Sequence, residues 1–283
     1  MSLPDRTAAP ARRYPRPGAG PGADDYVEFC VFLHKLCGID LLQYKRQQME
    51  RRLRSFYAQR QIIDLRDSFA RLRSDPAHLE ELLDRVTINV SQLWRNPEQW
   101  QVIAAEILPE LAARGRIDAW SAGCSYGAEA YTLATLCRLA GAGTPGGFTA
   151  RIRGTDIDRR MVARARRGSF SAEDARTAPA EQLASGFEPR PDGGWQARPA
   201  LRAITSFEVG DLLTQTPRSS SHDLILCRNT VIYFTEPIRD ELHARLAEAL
   251  RPGGYLIVGS TERVAQAAAL NLQATRPFIY RKS

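Results

Sequence analysis

The stretch from Ile117 to Leu136 limits the fold more than any other: Ile-Asp-Ala-Trp-Ser-Ala-Gly-Cys-Ser-Tyr-Gly-Ala-Glu-Ala-Tyr-Thr-Leu-Ala-Thr-Leu. Its first residues read as a short buried strand ending near Ser121. A loop of small residues follows through Gly123, Ser125 and Gly127. Beyond it Ala130, Leu133, Ala134 and Cys137 recur at helical spacing. A strand, a glycine loop and a helix N-terminus together make a cradle, because glycine lets backbone approach a ligand and the first helical turn has free N–H groups. A glycine also serves simply to make a turn between strand and helix, so the downstream chain has to decide between the two.

Downstream, strands and helices alternate, which predicts a parallel α/β sheet. A second strand over about Ala150–Thr155 ends at Asp156-Ile-Asp158, where nucleotide-binding sheets place an acid on a ribose. One of these aspartates can cap the helix starting near Arg159; Asp156 is assigned to the ribose. A third strand near Ser206–Val209 runs into Asp211 and Leu212. The fourth, Asp223–Cys227, is continuously apolar, hence central, and delivers Arg228, Asn229 and Tyr233 at its C-terminal edge. A helix over Pro237–Leu250, a strand Tyr255–Gly259 and a last strand Phe278–Arg281 complete the domain. Between Phe187 and Ile204, the turn signal Pro191-Asp-Gly-Gly194 marks a small inserted antiparallel hairpin, assigned to about 186–205.

The N-terminal part differs in kind. Residues 1–22 are rich in Pro, Gly, Ala and Arg and predict a disordered tail. Residues 23–96 read as an all-helical domain. Tyr26, Phe29, Cys30, Leu33 and Cys37 make one apolar stripe ended by Gly38. A second helix, Gln43–Gln59, turns Leu42, Met49, Leu53 and Phe56 inward and carries Lys45, Arg46, Arg51, Arg52 and Arg54 against a single acid, Glu50. Such an excess reads either as a solvated face or as a surface answered by an anionic partner. Helices over Leu65–Leu72 and Ala77–Thr87 follow. The segment Thr87–Trp100 mixes Asn89, Ser91, Gln92 and Arg95 with Leu93, Trp94 and Trp100, the composition of a linker or of a pocket rim. Pro97 opens a helix to Ala113, and residues 97–283 form the sheet domain.

Composition narrows the classes. No apolar run reaches the ~18 residues of a membrane span, and the first residues lack a signal-peptide core. The five cysteines have no metal-ligand spacing, and their odd number suits reduced thiols in cytoplasm. The formal charge of +7 favours an acidic partner without naming one. The chain has neither GxxxxGK[ST] nor a strict GxGxxG. A glycine loop, an acid after the second strand and polar residues after the fourth therefore favour an adenosine-bearing cofactor without pyrophosphate, such as S-adenosylmethionine.

Four motifs make the assignment specific. Asn89-x-Ser91-x-Leu93-Trp94-Arg95 resembles an Asn-x-Thr-x-Phe-Phe-Arg motif. Trp120–Thr132 resembles Trp-Ser-…-Ser-x-Gly-x-Glu-x-Tyr-Ser. The third is Thr155-Asp156-Ile157-Asp158, with Ala163–Gly168 after it. The fourth, Cys227-Arg228-Asn229-Thr-Val-Ile-Tyr233-Phe234, is close to Cys-Arg-Asn-Val-x-Ile-Tyr-Phe, and Gly259-Ser-Thr-Glu262 resembles Gly-x-Ser-Glu. These are the motifs of the CheR family of chemotaxis receptor methyltransferases, which the chain resembles from about Tyr26 to Arg281. The resemblance implies a Rossmann-like methyltransferase sheet after a small all-α domain. It also implies methyl transfer from S-adenosyl-L-methionine to glutamates of methyl-accepting chemoreceptor helices, leaving S-adenosyl-L-homocysteine. It assigns Asn89, Ser91, Arg95, Glu129, Asp156, Asp211, Leu212, Arg228 and Asn229 to the cofactor; the in-line displacement makes Arg95 and Tyr233 candidates for positioning the acceptor carboxylate and the methyl group. Lys45, Arg51, Arg52 and Arg54 are assigned to receptor docking. No metal, nucleic acid or membrane insertion is implied, and a monomer is. In some members the inserted hairpin docks a receptor tail peptide; here it is rich in Arg and Pro. Ser91 replaces Thr, Leu93-Trp94 replace a Phe pair, and Asp211 stands where many members have Asn. Two alternatives stay open: the same fold methylating another protein or a small carboxylic acid, and a non-catalytic cofactor-binding regulator.

Overall fold

A computed structural model describes residues 24–87, 91–143 and 147–283. The tail expected over 1–22 and the candidate Asn89 lie outside the described residues.

The helical part begins with α1 (Asp25–Cys37). Asp24 caps it by accepting the N–H groups of Tyr26 and Val27, and Gly38 ends it at φ 84°. Helix α2 (Arg46–Ala58) starts three residues later than the periodicity predicts. Asp40 caps a separate 3-10 turn, Leu41–Gln43, and Tyr44 then runs extended to pair antiparallel with Phe234. A tertiary contact thus overrides the local helical signal. A 3-10 turn (Leu65–Ser68), α3 (Phe69–Ser74) and α4 (Pro76–Val86) complete this part. Its core includes Phe29, Leu33, Met49, Leu53 and Tyr57, with Ile157 and Tyr233 of the sheet domain packed against it. The Lys45 N–H donates to the Tyr233 carbonyl (2.8 Å) and the Thr235 N–H to that of Gln43 (3.0 Å), so backbone hydrogen bonds join the two parts.

The expected helix Pro97–Ala113 is α5 (Pro97–Val102), a π-turn (Ile103–Ile107) and α6 (Leu108–Ala112). Pro109 lacks an N–H, and its ring crowds the carbonyl four residues back; the wider turn ahead of it relieves both. Then come β1 (Arg116–Ala122), α7 (Ala128–Gly143), β2 (Thr149–Asp156) and α8 (Arg159–Arg167). An insert follows, made of β3 (Ser169–Phe170), α9 (Ala180–Gly186), β4 (Phe187–Pro189), β5 (Trp195–Ala197) and α10 (Pro199–Arg202). The last elements are β6 (Thr205–Val209), β7 (His222–Cys227), α11 (Glu236–Ala249), β8 (Leu250–Val258), β9 (Leu272–Arg276) and β10 (Ile279–Lys282). The insert is larger than the expected hairpin: β3 joins it to give an antiparallel sheet in the order β3-β5-β4.

The main sheet has the order β6-β2-β1-β7-β8-β10-β9, parallel except for β10 and β9. Period-two alternation feeds both faces, as a sheet covered on each side requires. Ile117 and Ala119 of β1, with Leu224 and Leu226 of β7, face the core under α6 and α7. Trp120, Ala122, Ile225 and Cys227 face the core under α11. Strand order reverses between β1 and β7, and Ser121 pairs with Leu226 there. A crevice opens beyond the carboxyl ends of strands at such a switch point.

Candidate cofactor site

That crevice is a cleft of about 1080 Å³, including its part open to solvent. The loop after β1 forms its floor. Gly123 takes φ 78°, and a Cβ there would meet the Thr230 hydroxyl at 2.6 Å, so only glycine lets the loops after β1 and β7 close on each other. The Gly123 and Cys124 N–H groups both donate to the Thr155 carbonyl, each at 2.9 Å, tying the floor to β2.

The two aspartates after β2 divide their work. Asp158 caps α8, accepting from the Arg160 and Met161 N–H groups. Asp156 lines the cleft, accepting from the Ser125 N–H (2.7 Å) and the Asp158 N–H (2.9 Å). Burial pushes its carboxyl above the ordinary value, opposed by those two donors. Each of its oxygens keeps a lone pair for a ligand hydroxyl.

Glu129, in the first turn of α7, accepts from the Ser121 hydroxyl (2.6 Å) and pairs with Arg228 (3.3 Å). Burial raises its carboxyl as well, with Arg228 opposing. Arg228 is a keystone. It donates to the Gln99 side chain (2.8 Å), the Arg95 carbonyl (2.6 Å) and the Asn96 side chain (3.1 Å), and its guanidinium sits 5.1 Å from the Trp100 ring. Gln99 in turn donates to the Val258 carbonyl (3.0 Å). The segment carrying Arg95 is thereby bolted to β7 and β8. Its neighbours Trp94 and Asn96 hold positive φ, 54° and 59°. Such a conformation costs about 1–3 kcal/mol in a bulky residue and persists only where surroundings enforce it. For Trp94 the enforcement is a bond from its N–H to Thr132 (3.1 Å) and one from its indole to Gln182 (2.6 Å). Ser91 also lines the cleft, and its carbonyl accepts the Tyr126 hydroxyl.

Asp211 and Leu212 form the far wall. Asp211 accepts from the Leu213 N–H (2.8 Å), and burial raises its carboxyl, with Leu213 and Arg245 opposing. Asn229 and Tyr233 close the side toward the helical domain. Among the described residues, Ser91, Arg95, Glu129, Asp156, Asp211, Leu212, Arg228, Asn229 and Tyr233 therefore meet at one cleft.

The basic residues of α2 do not. Lys45 sits at the N-terminus of α2, Arg51 is exposed, and Arg52 reaches the Arg85 carbonyl (3.3 Å). Arg54 grips Asp25 (2.7 Å) and Glu50 (3.0 Å), and Arg46 bonds Asp24 and Glu50. The expectation that Glu50 alone answers this charge is thus corrected: α1 and its cap supply two further acids. Arg54 holds the Asp25 carboxyl down to about 2.

Two groups of residues were not legible as site residues. Ile39, Leu41, Tyr44, Met49 and Val86 of the helical domain form an apolar cleft wall; in sequence they are indistinguishable from that domain's core stripe. Glu262 lies beneath the loop after β7 and accepts its backbone N–H groups. Its one sequence signal is the Gly259–Glu262 motif.

Family models complete the assignment. The CheR methyltransferase SAM-binding domain matches residues 89–277, and the CheR methyltransferase all-alpha domain matches 24–87. The chain belongs to the CheR methyltransferase family. It is similar to the chemotaxis protein methyltransferase of Listeria innocua, 32% identical over 261 residues, covering 92% of this chain and 97% of that one. Chemotaxis protein methyltransferase 1 of Pseudomonas aeruginosa is 31% identical over 245 residues, covering 84% and 89%. S-adenosylmethionine is the family's cofactor, and the cleft fits it. The apolar wall suits a purine and Asp156 a ribose diol. Three acids against two guanidinium groups give the lining a formal charge of −1, matching a cationic sulfonium. Among the described residues no helix is long and apolar enough to cross a membrane.

Proposed function

We propose that the chain methylates glutamate side chains on the cytoplasmic helices of a chemoreceptor, forming γ-glutamyl methyl esters. The bound cofactor supplies an electrophilic methyl group. A glutamate carboxylate, with a reference pKa near ~4.3, is already ionised at neutral pH and needs no base. The cleft agrees with such an acceptor: no histidine or lysine lines it among the described residues. An amine acceptor would arrive protonated and require a base to remove its proton.

One observation carries the proposal. Burial raises the Tyr233 hydroxyl above its ordinary value, and the nearby positive charges of Arg52 and Arg95 oppose that rise. Positive charge therefore runs from the α2 face, past Tyr233, to the cleft. An acidic receptor helix laid on Arg51 and Arg52 would present a glutamate at Tyr233 and Arg95. There Arg95 orients the carboxylate, Tyr233 shields the reacting atoms from water, and alignment supplies most of the rate. Lys45 belongs to this surface through its backbone bond to Tyr233. Arg54 serves it indirectly, by holding α1 against α2.

The test is transfer of labelled methyl from S-adenosylmethionine to a receptor cytoplasmic fragment from the same organism. Label released as methanol in mild base is expected. Label that survives base would mean nitrogen or sulfur methylation and overturn the proposal. Label on another protein or a small acid, but on no receptor, would transfer the activity to that substrate class.

A further inference from the structure

Glu262 is 3% exposed and lies outside the cleft lining. Its side chain folds back over a tight turn whose N–H, at Glu262, bonds the Gly259 carbonyl (2.9 Å). One carboxylate oxygen accepts from the Gly259 N–H (2.6 Å) and the Asn229 N–H (2.8 Å); the other accepts from the Ile232 N–H (3.2 Å). Three backbone donors from the ends of two strands thus converge on one buried group. Among the described residues no cation forms an ion pair with it.

The two loop donors bracket the segment that brings Asn229, Thr230 and Tyr233 to the cleft. Asn229 is held at φ 57°, and Ile232 sits in the short 3-10 turn Val231–Tyr233. Only an acceptor-only group can receive three such donors. An amide would turn its own N–H toward at least one of them. The requirement is therefore for a carboxylate, although burial works against its charge.

We infer that Glu262 is a positioning residue for methyl transfer, acting through the backbone of residues 229–232 to hold Asn229 and Tyr233 at the cofactor cleft. The inference uses the proposed acceptor chemistry only for Tyr233; its Asn229 half concerns cofactor binding alone. Gly259 offers an independent handle. A Cβ there would meet both the Asn229 nitrogen and the Glu262 carboxylate at 2.7 Å, displacing the latch while the acid remains.

The experiment is calorimetric titration of S-adenosylmethionine into the full chain, well below its unfolding transition, for wild type, Glu262→Gln and Gly259→Ala. Losing about one hydrogen bond's worth of positioning corresponds to roughly tenfold weaker binding in each variant. A residue that merely stabilises the fold leaves the affinity of the folded protein unchanged. Dissociation constants within about twofold of wild type in folded variants would overturn the inference. If Glu262→Gln does not fold, Gly259→Ala decides. Binding is the readout, so an error in the receptor assignment leaves the result interpretable.

Discussion

Replacing Arg228 with methionine removes the guanidinium that pairs with Glu129 while keeping bulk against Trp100. Glu129 is left buried, with the Ser121 hydroxyl donating to it. The cost has a ceiling, because the carboxyl can take up a proton instead. From an ordinary value of 4.5, neutralising it at pH 7 costs about 3.4 kcal/mol, at ~1.36 kcal/mol per unit. The Gln99 and Asn96 side chains also lose their donor, adding about 1–3 kcal/mol. Arg228→Met should therefore destabilise the apo protein by about 4–6 kcal/mol at pH 7, a large share of a typical domain's ~5–15 kcal/mol. The sign with pH follows from the proton uptake. In the variant the folded-state pKa of Glu129 lies above its unfolded value, so the penalty is complete well above that value and relieved as pH falls. By pH 5 the gap from wild type should narrow by up to about 2.7 kcal/mol. Adding Glu129→Gln should recover most of the charge cost and flatten the pH dependence. Urea unfolding followed by tryptophan fluorescence reads this directly, since Trp100, Trp120 and Trp195 lie in the sheet domain and Trp94 packs into its core. A gap below ~1 kcal/mol at pH 7, or one that does not change by pH 5, would refute the keystone role.

Asp156→Ala should weaken S-adenosylmethionine binding by about 100-fold or more in calorimetry, two hydrogen bonds to a charged group being worth ~1.5–3 kcal/mol each. Burial raises Asp156, Glu129 and Asp211, so cofactor affinity should fall as pH drops through their raised values, beginning above the ordinary 3.8 and 4.5; pH-dependent titration checks it. Charge reversal at Arg51 and Arg52 should raise KM for the receptor and reduce its salt dependence while sparing the cofactor dissociation constant. Arg54→Ala should instead lower stability by about 1 kcal/mol or less, since the pair with Asp25 is partly solvated. That contribution is present above the unfolded Asp value of 3.8 and lost as pH falls toward about 2, which acid unfolding of wild type and variant measures.

The alternating strands and helices of the sheet domain are legible in sequence because β1 and β7 are largely buried on both faces, β7 leaving the continuous apolar run Leu224–Cys227. Strand β3 is not: Ser169–Phe170 is too short to carry a period, and its pairing with β5 is a tertiary event. Strand β9 offers only Leu272 as a buried residue and gives no alternation. At the cleft, Asp156, Asp211 and Arg228 were legible because they follow strands, where ligands bind in such sheets. Tyr44 and Met49 were not, since an apolar residue facing a cofactor and one facing a helix look alike in one dimension. Beyond the Gly259–Glu262 motif, the role of Glu262 was hidden because its partners are backbone N–H groups, which leave no mark on the sequence.

Peptide mapping of a receptor fragment, after incubation with the protein and S-adenosylmethionine, tests the proposed chemistry most directly. Tandem mass spectrometry should find single methyl groups on glutamate side chains of the receptor helices. They should be absent from a sample treated with mild base and greatly reduced with Asp156→Ala. Methyl groups found on lysine, arginine or cysteine, and stable to base, would contradict the carboxylate acceptor on which the account rests.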